Sequence, residues 1–145
     1  MYKDTSMEKL TINLPPVEIA RIDILVETGL YPNRSEFIRT AIRKNLDIHN
    51  ELIERKIGES IEQPEDQVTK TLSGVGVFGV KKNDFEEALN ENKKLKINVV
   101  GMLVIPKNVP PKLVAETVES IKVYGILKAS SKVKNELKKI AERNQ

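Results

Sequence analysis

The sequence predicts an α+β chain in two parts, and three observations carry that reading. The first is a strictly alternating run, Lys9-Leu10-Thr11-Ile12-Asn13-Leu14, stopped by Pro15-Pro16. The second is a pair of amphipathic helical patterns between Pro16 and about Asn50, separated by Gly29. The third is a weak internal repeat after residue 67, in which three β-rich runs each precede a helical stretch.

In the alternating run Leu10, Ile12 and Leu14 point one way while Lys9, Thr11 and Asn13 point the other, the period of a half-buried strand. The double proline ends the ladder and opens a helix. Up to Asn50 no second strand pattern follows to pair with it. A lone strand leaves a row of unpaired amides, and three apolar side chains bury too little to stand alone. The economical solution is a second copy of the chain, with the two strands paired antiparallel about a two-fold axis. Leu10, Ile12 and Leu14 of both copies then lie on a helical core, and Lys9, Thr11 and Asn13 are presented twice.

The first helix carries Val17, Ile19, Ile22, Leu25 and Val26 near a 3.6-residue period, and Gly29 stands where a left-handed C-cap belongs. Leu30-Tyr31-Pro32 is a connector. Asn33-Arg34-Ser35-Glu36 has the form of a capping box, with Asn33 as N-cap and Glu36 reaching back to it. The second helix sets Phe37, Ile38, Ala41, Ile42 and Leu46 on one face, and its pattern runs on through His49, Leu52, Ile53 and Ile57 towards Gly58. Ile22, Leu25, Phe37, Ile38, Ala41 and Ile42 are expected to complete the shared core. The expected layout is an arm over residues 1–7, an N-terminal domain over 8–58, an acidic linker over 59–67 and a C-terminal domain over 68–145.

In that C-terminal part Gly76, Gly101 and Gly125 sit inside the β-rich runs, 25 and 24 residues apart. The helical stretches are expected at Asn83–Asn92, Pro110–Glu119 and Ser131–Glu142. Three strand–helix units make a small α/β or α+β domain, although glycines inside strands equally fit bulges or turns of a β-solenoid.

Composition excludes several functions. There is no cysteine, so disulfides, thiol catalysis and thiolate metal sites are out, and a single histidine, His49, makes no metal site in one chain. No cofactor is expected. No apolar run reaches the ~20 residues of a membrane span, and the start lacks a signal-peptide core, so the expected location is the cytoplasm, at the nucleoid. A phosphate loop ending in Lys-Ser/Thr, a nucleophile elbow and a histidine triad are all missing, so no enzyme is expected. Asp84, Glu86 and Glu87 have helical spacing, but a position near a helix N-terminus accounts for them. The net charge of +3 is uneven: residues 1–60 hold nine basic and ten acidic side chains, residues 61–145 fifteen and eleven.

Lys9–Pro15, Gly29-Leu30-Tyr31-Pro32 and Asn33-Arg34-Ser35-Glu36-Phe37-Ile38-Arg39-Thr40-Ala41-Ile42-Arg43 together resemble the ribbon-helix-helix family of Arc-, MetJ- and CopG-type repressors. The last piece is the most specific, and the resemblance covers about residues 8–50. It implies an intertwined homodimer whose paired strands enter the major groove of double-stranded DNA. Lys9, Thr11 and Asn13 would then read base edges: lysine donates to guanine, asparagine pairs bidentately with adenine, and threonine offers a hydroxyl and a methyl. It also implies that Asn33, Arg34 and Ser35, at the start of the second helix, hold flanking phosphates. A nickel-responsive member would need histidine and cysteine ligands that this chain does not offer. The expected function is a transcriptional regulator, in the first place a repressor, acting as a homodimer, a tetramer or a larger oligomer. Its C-terminal domain either takes a small-molecule effector or joins dimers along DNA. The alternatives are an antitoxin with the same DNA-binding part and an architectural DNA-binding protein.

Overall fold

A computed structural model describes residues 7–62 and 67–144. The expected arm, but for Met7, lies outside the described residues, as does the 63–66 part of the expected linker. The chain divides into two compact units between Arg55 and Lys56.

The N-terminal unit begins with an exposed stretch. Lys9–Leu14, expected as a strand, takes no regular secondary structure in the single chain, because among the described residues no strand runs beside it to form a ladder. Helix α1 (Pro16–Glu27) starts at its proline, with the Pro15 carbonyl accepting from the Glu18 and Ile19 amides. It ends in a full Schellman motif. The Gly29 N–H donates to Val26 O at 3.0 Å and the Leu30 N–H to Leu25 O at 3.1 Å, with Gly29 at φ +82°. Helix α2 (Arg34–Ile48) opens on Asn33, whose Oδ1 accepts from the Glu36 amide at 2.9 Å. The expected box is half made. The Glu36 carboxylate accepts from the Arg39 guanidinium at 2.7 Å instead of turning back to Asn33.

The second helical pattern does not run on unbroken. It stops at Ile48, His49 closes it at φ −102° and ψ 14°, and helix α3 (Asn50–Ile61) starts anew. The break falls among Asp47, His49 and Asn50, all poor helix formers. Gly58 lies inside α3, and Glu59–Ile61, expected in the linker, finish that helix.

The C-terminal unit is three strands and three helices in strict alternation: β1 (Thr69–Gly79), α4 (Lys82–Asn90), β2 (Lys94–Val104), α5 (Pro111–Thr117), β3 (Val118–Lys128) and α6 (Ser131–Arg143). β3 begins inside the stretch expected as helix. Val118 is already extended at ψ 117°, in keeping with its β-branched side chain. The sheet has the order β1-β2-β3 and all its pairs are parallel. Both crossovers step one strand further in the same direction, which puts α4 and α5 on one face, and α6 packs beside α5 and against β3 on that face. That face is the core: Leu72 and Phe78, then Ile97, Val99 and Leu103, then Ile121, Val123 and Leu127, under Phe85, Val114, Val133, Leu137 and Ile140. On the other face Val75, Val77, Tyr124 and Ile126 are exposed.

The three glycines of the repeat stand in one row, Gly76↔Gly101↔Gly125, each at φ between +121° and +135°. A Cβ placed on Gly74 would meet the tip of the Phe78 ring. Four residues of straight strand span about 13 Å, further than a phenylalanine side chain reaches, so β1 is sharply bent between them. In-register glycines let all three strands bend together. Asp84 caps α4 by accepting from the Lys81 amide at 2.7 Å, and Asn144 ties the end of α6 to the Glu119 carbonyl at 2.7 Å.

Gly29→Ala is expected to destabilise the N-terminal unit by about 1–2 kcal/mol, the cost of a Cβ in the left-handed region. Denaturant titration followed by circular dichroism reads this out, and an unchanged midpoint would mean that the cap is not needed.

Candidate nucleic-acid interface

The candidate site is built on two short local structures, the stretch before Pro15 and the N-terminus of α2. Lys9, Thr11 and Asn13 are all exposed. So are two of the apolar residues that alternate with them, Leu10 at 80% and Ile12 at 52% of full exposure, while Leu14 is half-buried. Apolar side chains at such exposure on a segment without a ladder are a surface awaiting cover.

Of the nine residues expected in a shared core, all but Leu10 line a single groove of about 400 Å³: Ile12, Leu14, Ile22, Leu25, Phe37, Ile38, Ala41 and Ile42, with Glu18 and Arg21 at its rim. Only Ile22 among them is buried within the chain, and Ile42 keeps 48% of its exposure. The groove is therefore an apolar face that the single chain leaves open. Two contacts hold α2 to the segments before it. Tyr31 in the connector meets Phe37 edge to face, ring centres 5.0 Å apart. Arg34 grips Asp23 with two parallel hydrogen bonds, from Nε at 2.6 Å and from Nη2 at 2.8 Å.

That second tie bears directly on the site. Arg34, expected to reach phosphate, spends its fork on a carboxylate 11 residues earlier in the chain. The hydrogen bond from Arg34 holds the Asp23 carboxyl below its ordinary pKa, and the same bond raises that of Arg34. Both side chains stay well exposed to water, so the pair is a clamp that an incoming anion can open rather than a buried brace. Asn33 is engaged in capping, and Ser35 is exposed beside it. The first amides of α2 have no acceptor within the helix and point out of its positive end. The site thus offers backbone N–H groups, a serine hydroxyl and one guanidinium that must be released from Asp23.

Asp23 was not legible in the sequence. Its partner is one connector away, and no local pattern marks an ion pair between two helices.

Compared with known proteins, residues 5–134 match the ribbon-helix-helix transcriptional regulator family. A stretch of 45 residues is 42% identical to the transcriptional regulator CdrS of Halobacterium salinarum (strain ATCC 700922 / JCM 11081 / NRC-1), covering 31% of this chain and 82% of that protein. No solved structure matches the chain significantly.

The clamp predicts a pH dependence of definite sign. Because the Asp23 pKa is depressed in the folded chain, its contribution to stability is present above the ordinary carboxylate range and lost as pH falls through the lower, folded-state value. Carboxyl NMR should show Asp23 titrating below the ordinary aspartate value, and Arg34→Ala should move its titration back up. A normal titration of Asp23 in the wild-type chain would remove the clamp.

Proposed function

Because the chain belongs to the ribbon-helix-helix transcriptional regulator family, we propose that it binds double-stranded DNA sequence-specifically as a homodimer and acts as a repressor. The single observation that carries this reading is the coincidence of an unladdered, exposed Lys9–Leu14 with an open groove lined by eight of the residues that a shared core requires. A second copy supplies both missing pieces at once, a strand for the ladder and an apolar face for the groove. Pairing the strands turns Leu10, Ile12 and Leu14 inward and leaves Lys9, Thr11 and Asn13 of both copies side by side on the wet face.

In that arrangement the ribbon supplies sequence preference and the start of α2 supplies register. Asn13 carries the most discriminating chemistry, since its amide matches adenine N6 and N7 together. The α2 amides around Arg34 and Ser35 take a phosphate on either flank, with Asn33 keeping the helix start rigid. The layout into an N-terminal domain over residues 8–58 and a C-terminal domain over 68–145 assigns DNA reading to the first and assembly to the second.

Asn13→Ala should cost about 1–3 kcal/mol at the preferred site and leave other sequences bound as before. Fluorescence titrations of a site selected from a random pool, set against scrambled DNA, measure the difference; undiminished discrimination would end the ribbon readout. Asp23→Asn frees Arg34 and should tighten binding to all sequences alike while steepening the salt dependence, and Arg34→Ala should do the reverse, lowering the slope by about one ion. If both variants lower only the melting temperature and leave the salt slope untouched, Arg34 is a helix tie and not a phosphate ligand.

A further inference from the structure

We infer that the C-terminal sheet extends from copy to copy, head to tail, with β3 of one chain pairing in parallel with β1 of the next in the register that the internal strands already use. This deepens the assembly half of the reading above and does not depend on what the ribbon recognises.

The repeat is the starting point. One step carries β1 onto β2 and the same step carries β2 onto β3, so that Ser73↔Asn98↔Lys122, Val75↔Val100↔Tyr124 and Val77↔Met102↔Ile126 stand in rows. Among the described residues β1 and β3 are each paired on one side only, along strands of 11 residues. Such edges invite further strands, and here the two edges are the two halves of one repeated joint.

The glycine row shows the fit most directly. A Cβ on Gly101 would collide with the Gly76 carbonyl oxygen, and one on Gly125 with the Gly101 carbonyl oxygen. Each glycine thus receives the carbonyl of the strand before it. Among the described residues nothing lies within 4 Å of that position at Gly76. The first strand has the empty socket and the last strand has the carbonyl that fits it.

Taking one more step of the repeat, Tyr124 faces Val75 of the next copy, Ile126 faces Val77, and Lys122 faces Ser73; no like charges meet. On the core side Ile121 faces Leu72 and Leu127 faces Phe78, so the apolar stripe continues. Both ends are left open for this. A groove of about 180 Å³ beside β3 is lined by Ile121, Val123 and Leu127 with Lys134 and Lys138, and one of about 200 Å³ beside β1 is lined by Leu72, Leu95 and Ile97 with Asp84 and Lys70.

The helices select the direction. α4 packs beside α5 and α5 beside α6, so the next step sets α4 of the following copy against α6. α4 carries three carboxylates to one lysine, whereas α6 carries five cations to two carboxylates. Opposite charges meet when the ends join head to tail, and like charges meet when two α6 ends face each other about a two-fold axis. A head-to-tail joint leaves a free edge at each end of every assembly that the rotation per step does not close into a ring, so dimers held by their N-terminal units would be linked through their C-terminal sheets.

The absence of cysteine makes the test clean. Val75→Cys and Tyr124→Cys, at exposed positions, are introduced singly and together into the full chain and oxidised with copper phenanthroline. Within one chain the two sites are two strand spacings, about 9.6 Å, apart, too far for a disulfide. The double variant should give a ladder of multimers on a denaturing non-reducing gel while neither single variant cross-links, and the mass of the wild-type chain by light scattering should rise with concentration and fall with salt. Cross-linking by Tyr124→Cys alone would show two-fold pairing of β3 edges and overturn the inference, as would a double variant that stays monomeric on the gel with a native circular dichroism spectrum. A lost ladder with intact DNA discrimination sinks only this inference, and an intact ladder with lost discrimination sinks only the DNA reading.

Discussion

The constraint on which this protein turns is that extended backbone must find a partner for its amides and carbonyls. Helices satisfy those groups internally, and α1 to α6 do so with caps at Asn33 and Asp84 and a closing motif at Gly29. Strands cannot. Among the described residues Lys9–Leu14 joins no ladder, and β1 and β3 each pair with one strand only. The same shortage at both ends of the chain, in each case beside uncovered apolar side chains, marks a polypeptide shaped for association.

The two units meet that constraint differently. In the N-terminal unit the apolar groove lies open between α1, α2 and the stretch before Pro15, and the proposed partner for it is a second copy related by a two-fold axis. In the C-terminal unit the strands step in one direction with all helices on one face, so the two ends differ in shape and in charge. The proposed two-fold joint and the inferred head-to-tail joint thus rest on different features of the two units.

Much of this was written in local sequence. The stop at Pro15-Pro16, Gly29 and the Asn33 cap depend on neighbours a few residues apart, and each stands where the pattern put it, whereas the strand expected over Lys9–Leu14 is not formed in the single chain. The repeat of Gly76, Gly101 and Gly125 and the helices after each strand were legible for the same reason, as period and spacing. Element ends were less so. Val118 reads as the tail of a helix, yet pairing with Leu95 draws it into the sheet. The break at His49 is a balance of weak propensities that no hydrophobic pattern records.

Sequence by itself determined which segments are extended, which are helical and which faces are apolar, because those follow from side-chain period and backbone preference over a few residues. Tertiary structure decided what is far apart in the chain: that Asp23 holds Arg34, that the glycines align into one bent row, and that the three helices share a single face. These depend on register and chain direction, which place residues 11, 25 or more positions apart against one another, and no local rule of spacing carries that information.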